Sequence, residues 1–296
     1  MRALRVLLRL LVGLAFLAAV LAAFVSWRSA AVLGQRFAVE LPPAAAPAAA
    51  PDLANGRHLA ATRGCFNCHG EDLGGAVVID DGAMGLISGP NLTRGQGGLP
   101  AGFSTADLER AIRHGVAPDG RGLFLMPSQD YAHLTVDDMT DLVGYVASVP
   151  PVDRTGVPLR LGPLTRALLA TGKMRLAAAE IDHAALRPDA VARGLTPAYG
   201  RYVAVTCTGC HGARFSGGRI AAGPPSWPPA ANLTPAGDLA KWTEADFIAT
   251  LRTGRKPDGT AVNPVMPRNF GLLDDTELKA VWSYLRTLPP VATGGH

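Results

Sequence analysis

An uninterrupted apolar run from Leu10 to Val25 follows Arg2, Arg5 and Arg9, the layout of a secretory signal or of an uncleaved anchor helix. Extended from Val6 to Trp27 it reaches 22 residues, enough to cross a bilayer if Arg9 snorkels to one interface and Trp27 sits at the other. The reading taken is an anchor over residues 1–36, with its basic end cytoplasmic and everything after it exported. Small residues at Ser29 and Ala31 also permit cleavage after Ala31, which would release a soluble periplasmic protein. Residues 37–51 form a Pro/Ala tract without periodicity, read as a semi-rigid tether.

Downstream, apolar residues recur at helical spacing in two places. Met139, Leu142, Val143 and Val146 form one stripe, between Thr135 and Val149. Leu278, Val281, Trp282 and Leu285 form the other, between Asp274 and Leu288. Four helix starts pair a capping residue with an acid three positions on: Ser104 with Asp107, Thr135 with Asp138, Thr243 with Asp246, and Asp274 with Glu277. No stretch alternates as a strand, so an all-α chain is expected.

The chain is also a repeat. Asn55-Gly-Arg-His through Cys65-Phe-Asn-Cys-His69 matches Tyr199-Gly-Arg-Tyr through Cys207-Thr-Gly-Cys-His211. Asn91-Leu-Thr answers Asn232-Leu-Thr, Arg113-His-Gly answers Arg252-Thr-Gly, Met126-Pro answers Met266-Pro, and both units close in Pro-Pro-Val. Two homologous domains follow, at 52–151 and 194–291, with a connection at 152–193 and a short tail at 292–296. Within the connection, the stretch from Leu161 through Ala170 and on to Glu180, too charged and short to span a bilayer, reads as a helix packed on a domain, on a partner or at the membrane interface.

Composition changes this picture in one respect. The formal charge of +4 is concentrated at the N-terminus, since removing five arginines of the first 36 residues leaves 23 basic against 24 acidic groups. A near-neutral body offers no field for phosphate backbones, and nucleic-acid binding is set aside. Between the domains the charge is uneven: residues 52–150 carry a net −6 and residues 194–290 a net +3. Opposite signs suggest docking of one unit on the other, or different faces for donor and acceptor.

All four cysteines fall in two Cys-X-X-Cys-His pentads at matching places in the repeat. A bare Cys-X-X-Cys also fits a redox pair, half a zinc site or an exported disulfide. With histidine adjacent, the spacing suits covalent haem: Cys65 with Cys68, and Cys207 with Cys210, reach the two vinyl groups, and His69 or His211 meets the iron. For the second axial position, a thioether raises the reduction potential relative to a second imidazole. Met126 and Met266 are the methionines common to both units. His58 and His114 align with Tyr202 and Thr253 and make poor substitutes, and His133, without a counterpart, is kept as an alternative ligand.

These residues resemble the class I c-type cytochromes, and more narrowly the multihaem cytochrome subunits of membrane-bound periplasmic alcohol, aldehyde and gluconate dehydrogenases. The resemblance rests on the pentads, Gly89-Pro-Asn-Leu-Thr93, Ala111 to Gly120, Met126-Pro127 and Tyr145 to Pro151, with their second-unit equivalents. It implies two tandem cytochrome c domains behind an anchor helix, and two covalently bound haem c groups. It further implies that the Pro90 carbonyl receives the other ring nitrogen of His69, and that Gly56 and Gly200 let the first helix of each unit cross the closing helix near Tyr145 and Tyr284. The subunits it resembles carry three haem units, and this chain has two.

No constellation for bond-making chemistry is present, so the expected role is not enzymatic. The expectation is a membrane-anchored periplasmic dihaem electron carrier. Its donor would be a dehydrogenase or a quinol-oxidising complex, and its acceptor an oxidase, another cytochrome or a photosynthetic centre. The alternatives are a dihaem peroxidase, which needs an open iron, and a cytochrome subunit held tightly in a larger respiratory complex.

Overall fold

The computed structural model describes residues 2–41, 50–185, 190–220 and 226–295; the Pro/Ala tract from 42 to 49 lies outside them. Helix α1 (Arg2–Leu33) is long and apolar enough to cross a membrane, with a mean hydropathy of 2.6 over its most apolar window. Past its end the chain is fastened to the first unit: Phe37 N–H donates to Gly120 O at 2.8 Å, and Gly122 N–H to Gln35 O at 3.1 Å.

The first unit contains α2 (Leu53–Thr62), the short α3 (Cys65–His69), strands β1 (Ala76–Asp81) and β2 (Gly85–Gly89), α4 (Thr105–His114) and α5 (Val136–Ser148). Strand β3 (Arg160–Leu161) and α6 (Pro163–Ala170) lie in the connection. The second unit contains α7 (Pro197–Ala204), the short α8 (Thr208–His211), α9 (Glu244–Thr253) and α10 (Asp275–Leu285). The first stripe is buried in full, at Met139, Leu142, Val143 and Val146. In the second, Leu278, Val281 and Leu285 are buried, and Trp282 packs against them.

In each unit the first helix crosses the closing helix at a glycine. A Cβ on Gly56 would lie 2.1 Å from Asp141 O, and one on Gly200 would lie 1.9 Å from Ala280 O. Only a hydrogen fits at either crossing, which accounts for both glycines of the repeat.

The expectation of an all-α chain needs correction. Strands β1 and β2 form an antiparallel hairpin, and β3 extends it on the far side of β2. The hairpin escapes a search for alternation because neighbouring Val77 and Val78 on β1 are both exposed and Ile87 is the one buried residue of β2, too little to impose a period of two.

The connection wraps the first unit. Arg154 pairs with Asp72 at 2.8 Å, Ser88 donates to Val157 O at 2.7 Å, and α6 packs on the last turns of α1, where Ser29 is fully buried and Arg166 reaches its hydroxyl at 3.4 Å.

One buried core runs through both units, and polar contacts join them. His58 on α2 meets Glu277 on α10, and Tyr202 on α7 donates to Asp138 on α5. These are equivalent positions, so the two units meet through a pseudo-twofold exchange.

Candidate functional site

Each pentad sits on a helical turn just after the first helix of its unit. Gly64, at φ 83°, turns the chain from α2 into α3, a left-handed conformation that favours glycine. In the second unit a 3-10 turn, Val205–Cys207, leads directly into α8. All four cysteines are free, half-buried thiols. Burial pushes Cys65 and Cys207 up to about 12, so both stay protonated at neutral pH. Among the described residues no group of three or four cysteines converges, which removes the pooled zinc site.

The histidines are oriented in the same way. His69 Nδ1 lies 2.9 Å from Pro90 O, and His211 Nδ1 lies 2.7 Å from Ala231 O. A carbonyl only accepts, so each Nδ1 carries the hydrogen and each Nε2 keeps its lone pair for a metal. The pKa of both rings is lowered, chiefly by burial, which keeps them neutral and able to ligate. The expected Pro90 contact is present, and Ala231 supplies the carbonyl in the second unit.

The repeated Asn-Leu-Thr motif clips each unit shut. Asn91 accepts from Thr93 N–H at 2.9 Å and donates to Val152 O at 2.7 Å; Asn232 accepts from Thr234 N–H at 2.9 Å and donates to Val291 O at 2.7 Å. Those acceptors belong to the two Pro-Pro-Val closures. Both motifs stand out in the sequence, but their pairing across about 60 residues does not. Nearby, Leu73 and Phe215 hold left-handed backbone at φ 54° and 58°, and each carbonyl accepts from the residue after the following asparagine.

Met126 and Met266 lie half-buried on loops held by the repeated arginine. Arg113 donates to Ala132 O at 2.9 Å and Leu134 O at 2.7 Å, and Arg252 donates to Gly271 O. Met126 packs on the same core as Cys65 and Phe66. His133 packs its ring edge-on against Tyr202 at 5.5 Å, both of its ring nitrogens are buried without a hydrogen-bond partner, and burial pushes it down to about 3.

After each Met-Pro step, a 3-10 turn reaches across to the other unit. Asn269 donates to Thr62 O at 2.7 Å and accepts from Asn67, inside the first pentad, at 3.2 Å. Asp130 comes within 3.5 Å of where a Cβ of Gly209, inside the second pentad, would stand. Burial holds the Asp130 carboxyl up at about 6. Sequence reading missed Asp130 and Asn269 because the repeat has Phe270 and Gln129 in the matching places.

Two unpaired thiols three residues apart, beside an imidazole whose Nε2 is left free, are the donor set that covalent haem requires, and the chain presents it twice.

The family model for cytochrome c matches residues 53–150 and 198–289. The chain is 28% identical to the fructose dehydrogenase cytochrome subunit of Gluconobacter japonicus, over 86% of this chain and 56% of that protein. It is 28% identical to a diheme cytochrome c-type protein of Cereibacter sphaeroides, over 77% of this chain and 83% of that one. With the alcohol dehydrogenase (quinone) cytochrome c subunit of Gluconacetobacter polyoxogenes it shares 27% identity, over 80% and 56%. The chain thus spans little more than half the length of the two dehydrogenase subunits. With the family model matching both halves of the repeat, the chain belongs to the cytochrome c family and carries haem c covalently in two units.

Proposed function

We propose that the chain is a membrane-anchored dihaem electron-transfer subunit on the periplasmic side of the inner membrane, passing single electrons from a dehydrogenase to a downstream oxidase or cytochrome. Its domains are 52–151 and 194–291. Cys65 with Cys68, and Cys207 with Cys210, form the thioether links. His69 and Met126 ligate one iron, His211 and Met266 the other.

The observation that carries the reading is the duplicated histidine geometry, each Nδ1 tied to a backbone carbonyl and each Nε2 free. The haem supplies a one-electron couple. The protein orients its imidazoles through Pro90 and Ala231, ties the closing Val152 and Val291 to Asn91 and Asn232, and holds the methionine loops with Arg113 and Arg252. Helix α1, continued into the contacts of α6 and Phe37, supports the anchor.

The dehydrogenase partner is drawn from the names of the fructose and alcohol dehydrogenase subunits. A free-standing dihaem carrier is the second reading, favoured by the fuller match to the Cereibacter protein, 83% of its length against 56%. Detergent extraction followed by purification distinguishes them. A flavin- or quinone-dependent dehydrogenase that copurifies and reduces both haems with its own substrate supports the subunit. A chain that purifies alone and is reduced by quinol-oxidising membranes supports the carrier.

A further inference from the structure

We propose that Arg63 is a charge-positioning residue for both haem sites: one buried guanidinium, fixed between the two pentads, favours the reduced state at each. The inference rests on the haem assignment above.

Arg63 ends α2 two residues before Cys65, and it is only 6% exposed. Its side chain crosses into the second unit, where Nη1 donates to Val203 O at 2.9 Å and to Thr206 Oγ1 at 3.3 Å, the residue next to Cys207. The guanidinium lies 5.9 Å from the centre of the Tyr202 ring, and Tyr131 from the first unit donates to the Arg63 carbonyl at 3.1 Å. The cation is therefore adjacent to the first pentad by sequence and to the second by contact.

Its field reaches both. The Arg63 charge acts on both Cys65 and Cys207, the first cysteine of each pentad. Arg63 makes no ion pair among the described residues. Its Nε is buried without a hydrogen-bond partner. Asp130 is the acid whose charge it also feels. The repeat places Val205 where the first unit has Arg63, so one side chain serves both sites.

When either haem gains one electron, the charge at that site falls by one, and a fixed cation in a poorly solvated place favours that state. Removing the cation must therefore lower both midpoint potentials, whereas a residue important for one site alone would move one.

The test is a mediated spectroelectrochemical titration of the full-length holoprotein, with haem content counted by pyridine haemochrome. In Arg63→Gln both midpoints are expected to shift downward, and Arg63→Lys, which keeps the charge but loses the forked contacts, should recover most of the shift. One or both midpoints unmoved in Arg63→Gln, or Arg63→Lys falling as far, overturns the proposal. Asp130→Asn gives a second reading should Arg63→Gln fail to load haem. With the opposing carboxylate gone the midpoints rise, most at the second site, where Asp130 stands against Gly209 inside the pentad. No rise overturns the proposal as well. A wild-type haem count other than two per chain would overturn the haem assignment itself, and the proposal with it.

Discussion

Nε2 of His58, on the first helix of one unit, lies 2.7 Å from Oε2 of Glu277, the acid at the third position of the closing helix of the other. The carboxylate is almost wholly buried and also accepts from Asp274 N–H at 2.8 Å, so it caps its own helix while it binds the neighbouring unit. The bond to Glu277 holds the imidazole above its ordinary 6.5, outweighing the lowering by burial.

A pH dependence follows. A histidine raised on folding contributes its full stabilisation below about 6.5 and loses it as pH climbs through the raised value. Asp130, raised to about 6 from 3.8, acts in the same direction, since its buried carboxyl favours the protonated form. His133, lowered to about 3, works the other way below 6.5, so thermal melts of the holoprotein should show the fall between pH 6.5 and pH 8.5. Glu277→Gln should flatten the slope and cost about 1–3 kcal/mol near pH 6, the range for a buried hydrogen bond to a charged group. An unchanged slope in that variant would assign the effect elsewhere.

Tyr202 performs the matching task on the other side, by a different route. Its hydroxyl accepts from Thr135 N–H at 3.3 Å and donates to Asp138, so it sits inside the cap of α5, where the other three acid-paired starts close a direct capping box. Tyr202→Phe strands a buried amide and a carboxylate oxygen. Denaturant unfolding should register a loss of about 1–3 kcal/mol, and exchange at the Thr135 amide should speed up; normal protection there would refute the inserted-hydroxyl cap.

Gly56→Ala and Gly200→Ala should each destabilise the holoprotein by about 3 kcal/mol, the upper range for overpacking, because the added methyl meets backbone rather than a movable side-chain end. A methyl added at Gly82 would have nothing within 4 Å of it, so Gly82→Ala is the matched control and should stay within about 0.5 kcal/mol. Equal effects at the three positions would contradict the close helix crossings.

Met126→Ala and Met266→Ala should each remove one of two sulfur-to-iron absorption bands in the far red, with the haemochrome count still two per chain. An unaltered spectrum in either variant would release that methionine from the ligand set, and for the first site would return His133 to consideration.

Much of each unit is legible in the sequence because each unit is written twice. The pentads, the glycines at the crossings, the capping residues and the apolar stripes of α5 and α10 all recur at matched positions. A contact within a unit needs the same residue types both times. The hairpin of β1 and β2 is the exception, and it leaves no trace because backbone pairing at an exposed edge demands no side-chain pattern.

The meeting of the two units could be seen only in three dimensions. It is made where the repeats differ: His58 against Tyr202, Arg63 against Val205, Asp130 against Phe270. Periodicity tells which side of a helix is buried in its own core, but a polar residue on the outer side reads as solvated until a second body covers it. The carbonyl that holds His211 is by contrast legible from the repeat, since Ala231 precedes Asn232 as Pro90 precedes Asn91, and a backbone oxygen needs no particular side chain. Local chemistry is thus written in residue types at short range, and the coupling of the two sites is decided by which surfaces the tertiary fold brings together.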